Sequence, residues 1–289
     1  MLFFPNLKLD IDHDFWAALP GDDYPRLKKM ASTPAAGDFQ KDPLLDQRLA
    51  GSGMPAPLQA RLRREIHAIY AQVLPVYEAL FAGYVFQRRQ VVWRLNTIRN
   101  ENLHIDTDHV SLSAHFARMF INLDNQPRIW MTGYTIDQMF ERFGDRIPRP
   151  VLETGQAAEI RNAVNTAAFG GRSTMWWDRE PRHVAYFDPG DVWTVDSRQI
   201  AHQIFYGRRA VSIDFFVAEQ SMSKRKRHYL RIAEDYRRKA LAPWRRPSIP
   251  RPLIPRESWD PGVLSLNLNC RDASEVGNRK KPGSPLSRG

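Results

Sequence analysis

The stretch His115-Phe-Ala-Arg-Met-Phe-Ile-Asn-Leu123 has the alternation that decides the fold. Side chains of a β-strand point to opposite faces in turn, so every second residue of this stretch shares one face. That face holds Phe116, Arg118, Phe120 and Asn122. The stretch Ala210-Val-Ser-Ile-Asp-Phe-Phe-Val217 alternates in the same manner. Both stretches are predicted strands, and an arginine between two phenylalanines is unusual for a face that is open to solvent.

Four further runs are rich in β-branched and aromatic residues and are bounded by turn residues. These runs are residues 91–96, 128–132, 183–187 and 192–195. The tetrapeptide Asp188-Pro-Gly-Asp191 is typical of a tight turn that leads into a strand. The spacing of the runs favours an all-β sandwich or barrel over alternating strands and helices.

Helices are predicted around these strands. Apolar residues recur at helical spacing after Pro57 and share one stripe, which consists of Leu58, Leu62, Ile66, Val73, Tyr77 and Leu80. This pattern predicts an amphipathic helix that packs on the core. Residues 136–166 are predicted to be helical with a proline-rich break near residues 148–150.

The charge of the chain is unevenly distributed. The 289 residues carry a formal charge of +10, and residues 224–289 hold 17 Lys+Arg against 6 Asp+Glu. Residues 1–223 are therefore close to neutral, which argues against nucleic-acid binding by this part, because such binding needs cations on the surface that meets phosphate. We predict a folded domain over residues 1–223 and a basic, proline-rich extension over residues 224–289.

Cysteine usage limits the metal chemistry. Cys270 is the only cysteine, so neither an intrachain disulfide nor a multi-cysteine metal site exists. A metal ion must be held by histidine and carboxylate. The first residues lack the pattern of a secretory signal, which predicts a cytoplasmic protein.

One short motif supplies such ligands. His104 and Asp106 are two residues apart, so on a strand they point to the same side and can bind one ion. His202 is the best candidate for a third ligand, because it lies between two predicted strands that a barrel can bring back to the first pair. Two histidines and one carboxylate on one face of an ion leave three positions open, as in non-haem Fe(II) oxygenases.

In such an enzyme 2-oxoglutarate fills two open positions and O2 the third, and the distal carboxylate of 2-oxoglutarate needs a buried cation. A bidentate arginine serves best. In one known arrangement the cation follows the second histidine by about ten residues, where this chain has Ser212. In another it lies on the strand after His-x-Asp, which is the position of Arg118. Arg118 is therefore the predicted anchor of the co-substrate.

Several stretches together resemble the Kdo (3-deoxy-D-manno-oct-2-ulosonic acid) hydroxylase family of Fe(II)/2-oxoglutarate dioxygenases. The similarity spans roughly residues 55–217 and includes these motifs in order: Trp93-Arg94, Arg99-Asn-Glu-Asn-Leu-His104-Ile-Asp106, Ala117-Arg118-Met-Phe-Ile-Asn122, Pro127-Arg128-Ile-Trp130, Phe187-Asp-Pro-Gly-Asp-Val-Trp193, and Ala201-His202 with Gly207. The resemblance implies a double-stranded β-helix, that is, a cupin-like jelly roll with flanking helices.

The resemblance also assigns roles to residues. His104, Asp106 and His202 match the iron ligands, which carry the catalysis, and Arg118 matches an active-site arginine. Asn122, in the same matching stretch, is predicted to join Arg118 in binding the co-substrate. Arg94 and Arg99 match arginines upstream of the metal motif, where they are expected to meet the acidic sugar or the co-substrate.

The activity implied by the resemblance is hydroxylation of C3 of Kdo in a lipid A or lipopolysaccharide precursor, an anionic glycolipid. The basic extension suits peripheral contact with an anionic inner-membrane surface. Residues 171–188 and the extension depart from the family pattern, so the reaction is expected to transfer better than the substrate. Two alternatives remain open: the same chemistry on another small molecule or a protein side chain, and a non-catalytic jelly roll that binds sugar or nucleic acid. The sequence predicts no oligomeric state.

Overall fold

The computed structural model describes residues 1–35, 38, 40–107, 115–170 and 181–242. This part of the chain contains ten strands, numbered in chain order: β1 (Leu2–Phe3), β2 (Met30–Ser32), β3 (Phe86–Arg94), β4 (Ile98–Arg99), β5 (His115–Asn122), β6 (Arg128–Thr135), β7 (His183–Phe187), β8 (Val192–Thr194), β9 (Ile200–Gly207) and β10 (Ala210–Val217). They form two sheets whose pairings are all antiparallel. The larger sheet has the order β1-β8-β5-β10-β3-β2, and the smaller one has the order β4-β9-β6-β7.

An aromatic core lies between the two sheets. Phe120 of β5 and Trp193 of β8 come from the larger sheet, and Trp130 of β6 and Ile204 of β9 come from the smaller one. All four are nearly inaccessible to solvent and belong to one cluster. The predicted mainly-β jelly roll is confirmed, with the face of Phe120 directed into it.

Seven helices accompany the sheets within the described residues: α1 (His13–Ala18), α2 (Pro43–Ala50), α3 (Ala56–Leu80), α4 (Ile136–Phe143), α5 (Arg149–Thr154), α6 (Ala157–Phe169) and α7 (Tyr229–Leu241). Helix α3 is the predicted amphipathic helix, and its buried stripe packs on the outer face of the larger sheet. The hydroxyl of Tyr77 reaches backbone carbonyls of both β5 and β10. Leu80 is exposed because it lies in the last turn of the helix, beyond this contact.

The helical stretch with a proline-rich break is also confirmed. It consists of α4, α5 and α6, and a turn of 3-10 helix at Gly144–Arg146 followed by Pro148 separates the first two. These helices form a second apolar cluster on the other side of the smaller sheet.

The compact unit of the chain extends from Met1 to Pro243. It includes α7, which begins after the basic run at Lys224 and buries Tyr229, Ile232 and Ala233 against the neighbouring helices. This unit therefore includes the first part of the predicted basic extension. The prediction relied on the charge count, which does not reveal that α7 has an apolar face. Residues 243–289 lie outside the described residues. None of the described helices combines the length and apolar character that a bilayer crossing needs.

Candidate active site

Residues 103–106, which precede β5, point alternately into an apolar cluster and away from it. Leu103 and Ile105 are buried in the helical cluster beside the smaller sheet. His104 and Asp106 alternate with them, so both point to the opposite side, away from that cluster. The backbone N–H of Asp106 donates to Ser197 O at 2.8 Å, which holds the end of this segment in place. Burial of two apolar neighbours thus orients two of the predicted metal ligands.

His202 lies on β9 and is bridged to His104 through the backbone. The distance between His104 Nε2 and Asp106 Oδ1 is 3.6 Å. One ligand atom from each of His104, Asp106 and His202 lies within 4.8 Å of the others. Small side-chain rotations bring three atoms so placed onto a single ion. The structure therefore brings together the three residues that the sequence predicted as metal ligands.

Hydrogen bonds orient both imidazole rings. His104 Nδ1 lies 2.6 Å from Asn102 O, and His202 Nδ1 lies 3.1 Å from Ile200 O. A carbonyl oxygen can only accept, so each Nδ1 carries the proton and each Nε2 keeps its lone pair. Histidine ligands of metals are held in this way, with the second ring nitrogen donating to the protein. The donor set fits a divalent first-row metal such as Fe(II).

Arg118 supports the carboxylate of this triad. It donates through Nη1 to Asp106 and, at 2.8 Å, to Ser197 Oγ. Its Nε and Nη2 donate to the two oxygens of Asp214 at 2.6 and 3.1 Å. Ser197 Oγ in turn donates to Asp106 at 2.5 Å. The guanidinium thus joins the predicted metal ligand to a second, buried carboxylate on β10.

The protonation states of the triad suit metal binding. Burial opposes ionisation of Asp106, but the charge of Arg118 and the two histidines hold the pKa of Asp106 well below its usual value. Burial lowers the pKa of His202 to about 4, so its imidazole is neutral at neutral pH. Burial also acts to lower the pKa of His104, but the Asp106 carboxylate favours the protonated ring, through the hydrogen bond that this form can donate and through its charge, and raises the pKa overall.

Aromatic rings form one wall of the site. The indole of Trp130 stacks on the imidazole of His202, with centroids 5.3 Å apart and an angle of 20° between the planes. Trp130 also meets Phe120 edge to face, with centroids 4.8 Å apart. These contacts fix the plane of the His202 ring and exclude water from one side of the triad.

A cavity of about 480 Å³ opens directly onto the triad. Its lining includes the three predicted ligands, Trp130, Phe120, Arg118 and also Arg94, which ends β3. Arg94 donates to Ser212 Oγ at 2.8 Å. Burial and the nearby charge of Arg118 lower the pKa of Arg94. Two like charges beside one cavity favour an anionic ligand between them.

Two other predicted site residues do not line this cavity. Arg99 is exposed on β4. Asn122 is buried at the end of β5, where its Nδ2 donates to Gln126 O at 2.9 Å and to Phe187 O at 3.0 Å. Its backbone N–H also donates to Asp191 O at 3.0 Å. In this structure Asn122 ties β5 to two neighbouring turns.

Arg128 is a buried cation for which the sequence predicted no role beyond its place in the motif Pro127-Arg128-Ile-Trp130. It is 1% exposed at the start of β6, and none of its guanidinium nitrogens has a hydrogen-bond partner among the described residues. Burial, together with the charge of Arg94, lowers the pKa of Arg128 to about 9. The signal that could have found it is register, because Arg128 and Trp130 share the inward face of β6. It adds positive potential behind the cavity.

Some residues considered from sequence lie outside the described residues. Asp108 and His109, which follow the His-x-Asp motif, are among them, as are Trp176 and Trp177 in the region that departs from the family pattern. The side chain of His115 is likewise not described.

Comparison with known proteins agrees with the resemblance. Residues 56–240 match the family model described as 3-deoxy-D-manno-oct-2-ulosonic acid (Kdo) hydroxylase. No curated protein matches the chain.

Among solved structures, the fold is similar to that of the Kdo hydroxylase KdoO, described as a non-haem Fe(II) α-ketoglutarate-dependent dioxygenase. Its complex with succinate and Fe(III) and its complex with α-ketoglutarate and Fe(III) each give a TM-score of 0.59 at 13% sequence identity. Its apo structure gives a TM-score of 0.57 at the same identity. Each comparison covers 81% of this chain and 84% of the other. At this identity the likeness establishes the fold.

Proposed function

This chain belongs to the Kdo hydroxylase family, and we propose that it is an Fe(II)- and 2-oxoglutarate-dependent enzyme that adds a hydroxyl group to C3 of Kdo in a lipopolysaccharide precursor. The observation that supports this most strongly is the meeting of His104, Asp106 and His202 at the end of one cavity. These residues come from two distant parts of the chain, and each offers an atom suited to Fe(II).

His104, Asp106 and His202 would hold the iron. With 2-oxoglutarate and O2, ferrous iron supplies the oxidising power to convert a C–H bond to C–OH, while 2-oxoglutarate becomes succinate and CO2. The protein's part is to keep three ligands on one side of the ion. Arg118 and Ser197 contribute by directing one oxygen of Asp106 toward themselves, which leaves the other for the metal.

Arg94 and Arg118 would bind the carboxylate of 2-oxoglutarate that lies away from the metal. Their guanidinium carbons lie 5.8 and 5.7 Å from the centre of the Phe120 ring, so both flank one aromatic side chain. Four hydrogen bonds to protein groups leave Arg118 one of its five N–H donors, whereas Arg94 makes one such bond. Arg94 therefore offers most of the free donors, and Arg118 adds charge beside the metal.

The same cavity would admit the sugar. Trp130 and Phe120 provide an apolar wall beside the metal, and Glu101 lines the polar side. Exclusion of water by these side chains would limit side reactions at the reacting carbon. Arg99, which the resemblance assigns to substrate binding, lies on the exposed strand β4 and would meet only a part of the acceptor outside the cavity.

Incubation with Fe(II), 2-oxoglutarate and a Kdo-containing lipid A precursor tests the proposal. The expected result is succinate formation that depends on the acceptor, with a gain of one oxygen in the mass of the Kdo unit. If a different acceptor gains the oxygen and Kdo gains none, the proposed reaction is correct and the proposed substrate is wrong.

The basic extension would contact an anionic membrane surface, where such an acceptor resides. The support is its charge, 17 Lys+Arg against 6 Asp+Glu over residues 224–289. Each basic residue near an anionic surface is worth about 1 kcal/mol. Removal of residues 244–289 should weaken sedimentation with anionic vesicles at low salt, and unchanged sedimentation would exclude this role.

A further inference from the structure

The mouth of the cavity is formed by a short segment near the N-terminus. Pro25, Arg26, Lys28 and Lys29 line the same cavity as the predicted iron ligands. We propose that Arg26, Lys28 and Lys29 form a basic rim that binds an anionic group, of the phosphate or carboxylate type, on the acceptor beyond the sugar that reacts. This inference rests on the proposed function and specifies its substrate as an acceptor with more than one negative charge.

The backbone of the basic rim is held rigidly. Leu27 and Met30 are buried in the main core, on either side of the two lysines. Leu95 N–H donates to Leu27 O at 3.3 Å, and Met30 pairs with Trp93 in the larger sheet. The two lysines therefore start from fixed positions beside the end of β3, where Arg94 lies. A preorganised backbone lowers the entropic cost of placing their charges on a ligand.

The lysines of the rim are available to a ligand. Lys28 and Lys29 are exposed, and neither forms an ion pair within the described part of the chain. Arg26 donates to Gly51 O at 2.6 Å, which positions it without neutralising it. Asp22 and Asp23, the acids of the same segment, do not line the cavity. Asp22 instead accepts from Thr97.

The charges around the cavity indicate what it admits. The lining contains five cationic side chains, Arg26, Lys28, Lys29, Arg94 and Arg118, and two carboxylates, Glu101 and Asp106. A divalent metal adds two positive charges, and a dicarboxylate co-substrate removes two. The lining then has a surplus of three positive charges, or two when Asp214, which binds Arg118 from behind the lining, is counted. Either surplus exceeds the single carboxylate of one Kdo unit. A further anionic group on the acceptor balances it.

The position of the rim in the sequence sets it apart from the catalytic centre. Residues 25–29 lie outside residues 56–240, which match the family model. The metal triad and the co-substrate arginines lie within that match. The rim thus lies in a different part of the chain from the catalytic centre, at a place suited to recognising a part of the acceptor that does not react.

Replacement of both lysines tests the proposal. We expect Lys28→Gln/Lys29→Gln to raise KM for a phosphorylated Kdo–lipid A precursor about fivefold to tenfold, as expected for two exposed ionic contacts. The same acceptor treated with phosphatase should show little of this increase. The kcat/KM for the phosphorylated acceptor, divided by that for the dephosphorylated one, should therefore be lower in the variant than in the wild type. Raised salt should reduce the preference of the wild type for the phosphorylated acceptor.

A matched control removes the same charge elsewhere. Lys8→Gln/Arg64→Gln alters two exposed cations that do not line the cavity, and it should keep the wild-type ratio. Equal KM changes for both acceptors, or no change for either, would overturn the basic rim. If the wild-type protein hydroxylates neither acceptor, the proposed function fails. Calorimetric titration of both proteins with each acceptor then tests the rim by itself. If the lysine variant binds the phosphorylated acceptor more weakly than the wild type does, and the dephosphorylated acceptor equally well, the rim is upheld. If the variant binds both acceptors as the wild type does, the rim is rejected.

Discussion

His104 and His202 exchange both of their backbone hydrogen bonds, with N···O distances of 3.0 and 2.8 Å. The two residues thereby form an isolated antiparallel bridge next to the smaller sheet. Their imidazole centroids are 4.7 Å apart. The backbone therefore sets the positions of the two histidines proposed to bind the metal, so variants of these side chains should lose the metal and keep the fold.

His104→Ala should lower the affinity for Co(II), used in place of Fe(II), by at least about a hundredfold, because it removes a ligand from the ion. Calorimetric titration measures the affinity, and circular dichroism checks the fold. His183→Ala is the matched control, because His183 is exposed on β7. Wild-type affinity in His104→Ala would reject the metal assignment.

Arg94→Leu and Arg118→Leu should each raise the dissociation constant of 2-oxoglutarate about tenfold or more, because each removes a charged donor from the proposed carboxylate site. Anaerobic titration, followed by the visible charge-transfer band of Fe(II) with 2-oxoglutarate, measures it. Arg99→Leu should leave this constant unchanged, since Arg99 lies outside the cavity lining. An effect of Arg99→Leu as large as that of the other two variants would contradict the site.

Metal affinity should fall as the pH is lowered, because one histidine, His104, becomes protonated. The pKa of His104 is raised above 6.5, mainly by Asp106 acting against burial, whereas burial lowers the pKa of His202 to about 4. A proton on His104 blocks its ligand atom, so affinity should be greatest above the pKa of His104 and fall as pH drops through it. Between about pH 6 and pH 5 the slope should be near tenfold per pH unit. A hundredfold slope there would mean that both imidazoles titrate.

Gly207→Ala should destabilise the protein by about 1–3 kcal/mol, the usual effect of overpacking. A Cβ atom at Gly207 would collide with the guanidinium of Arg128, which is buried on the adjacent strand. Urea unfolding measures the change. Gly83→Ala is the matched control, because nothing lies within 4 Å of a Cβ atom at Gly83. In the Arg128→Leu background the loss should shrink, and an equal loss in both backgrounds would show that Arg128 is not its cause.

The sequence predicted most of the sheet framework. All six predicted strands are present, and two of them have the predicted bounds, His183–Phe187 and Ala210–Val217. Strand β9 was missed although it contains His202. Gln203 and His202 are both buried there, so polar residues occupy positions where alternation leads one to expect apolar ones. Pairing with β6 stabilises this strand, and no local pattern reports that pairing.

The candidate site was predicted in part. Spacing and resemblance selected the three predicted metal ligands together with Arg118 and Arg94, and the structure places all five at one cavity. Spacing could not find Asp214, whose contact with Arg118 joins strands far apart in sequence. Nor could it find the burial of Arg128 or the basic rim, because both depend on how separate segments pack.

A crystal structure of the protein with Fe(II) and 2-oxoglutarate, grown without oxygen, tests the central claim most directly. Anomalous scattering locates the iron directly. The account predicts one iron at about 2.0–2.2 Å from Nε2 of His104, from an oxygen of Asp106 and from Nε2 of His202. Iron held by other residues, or His202 turned away from an iron bound by the other two, would contradict it.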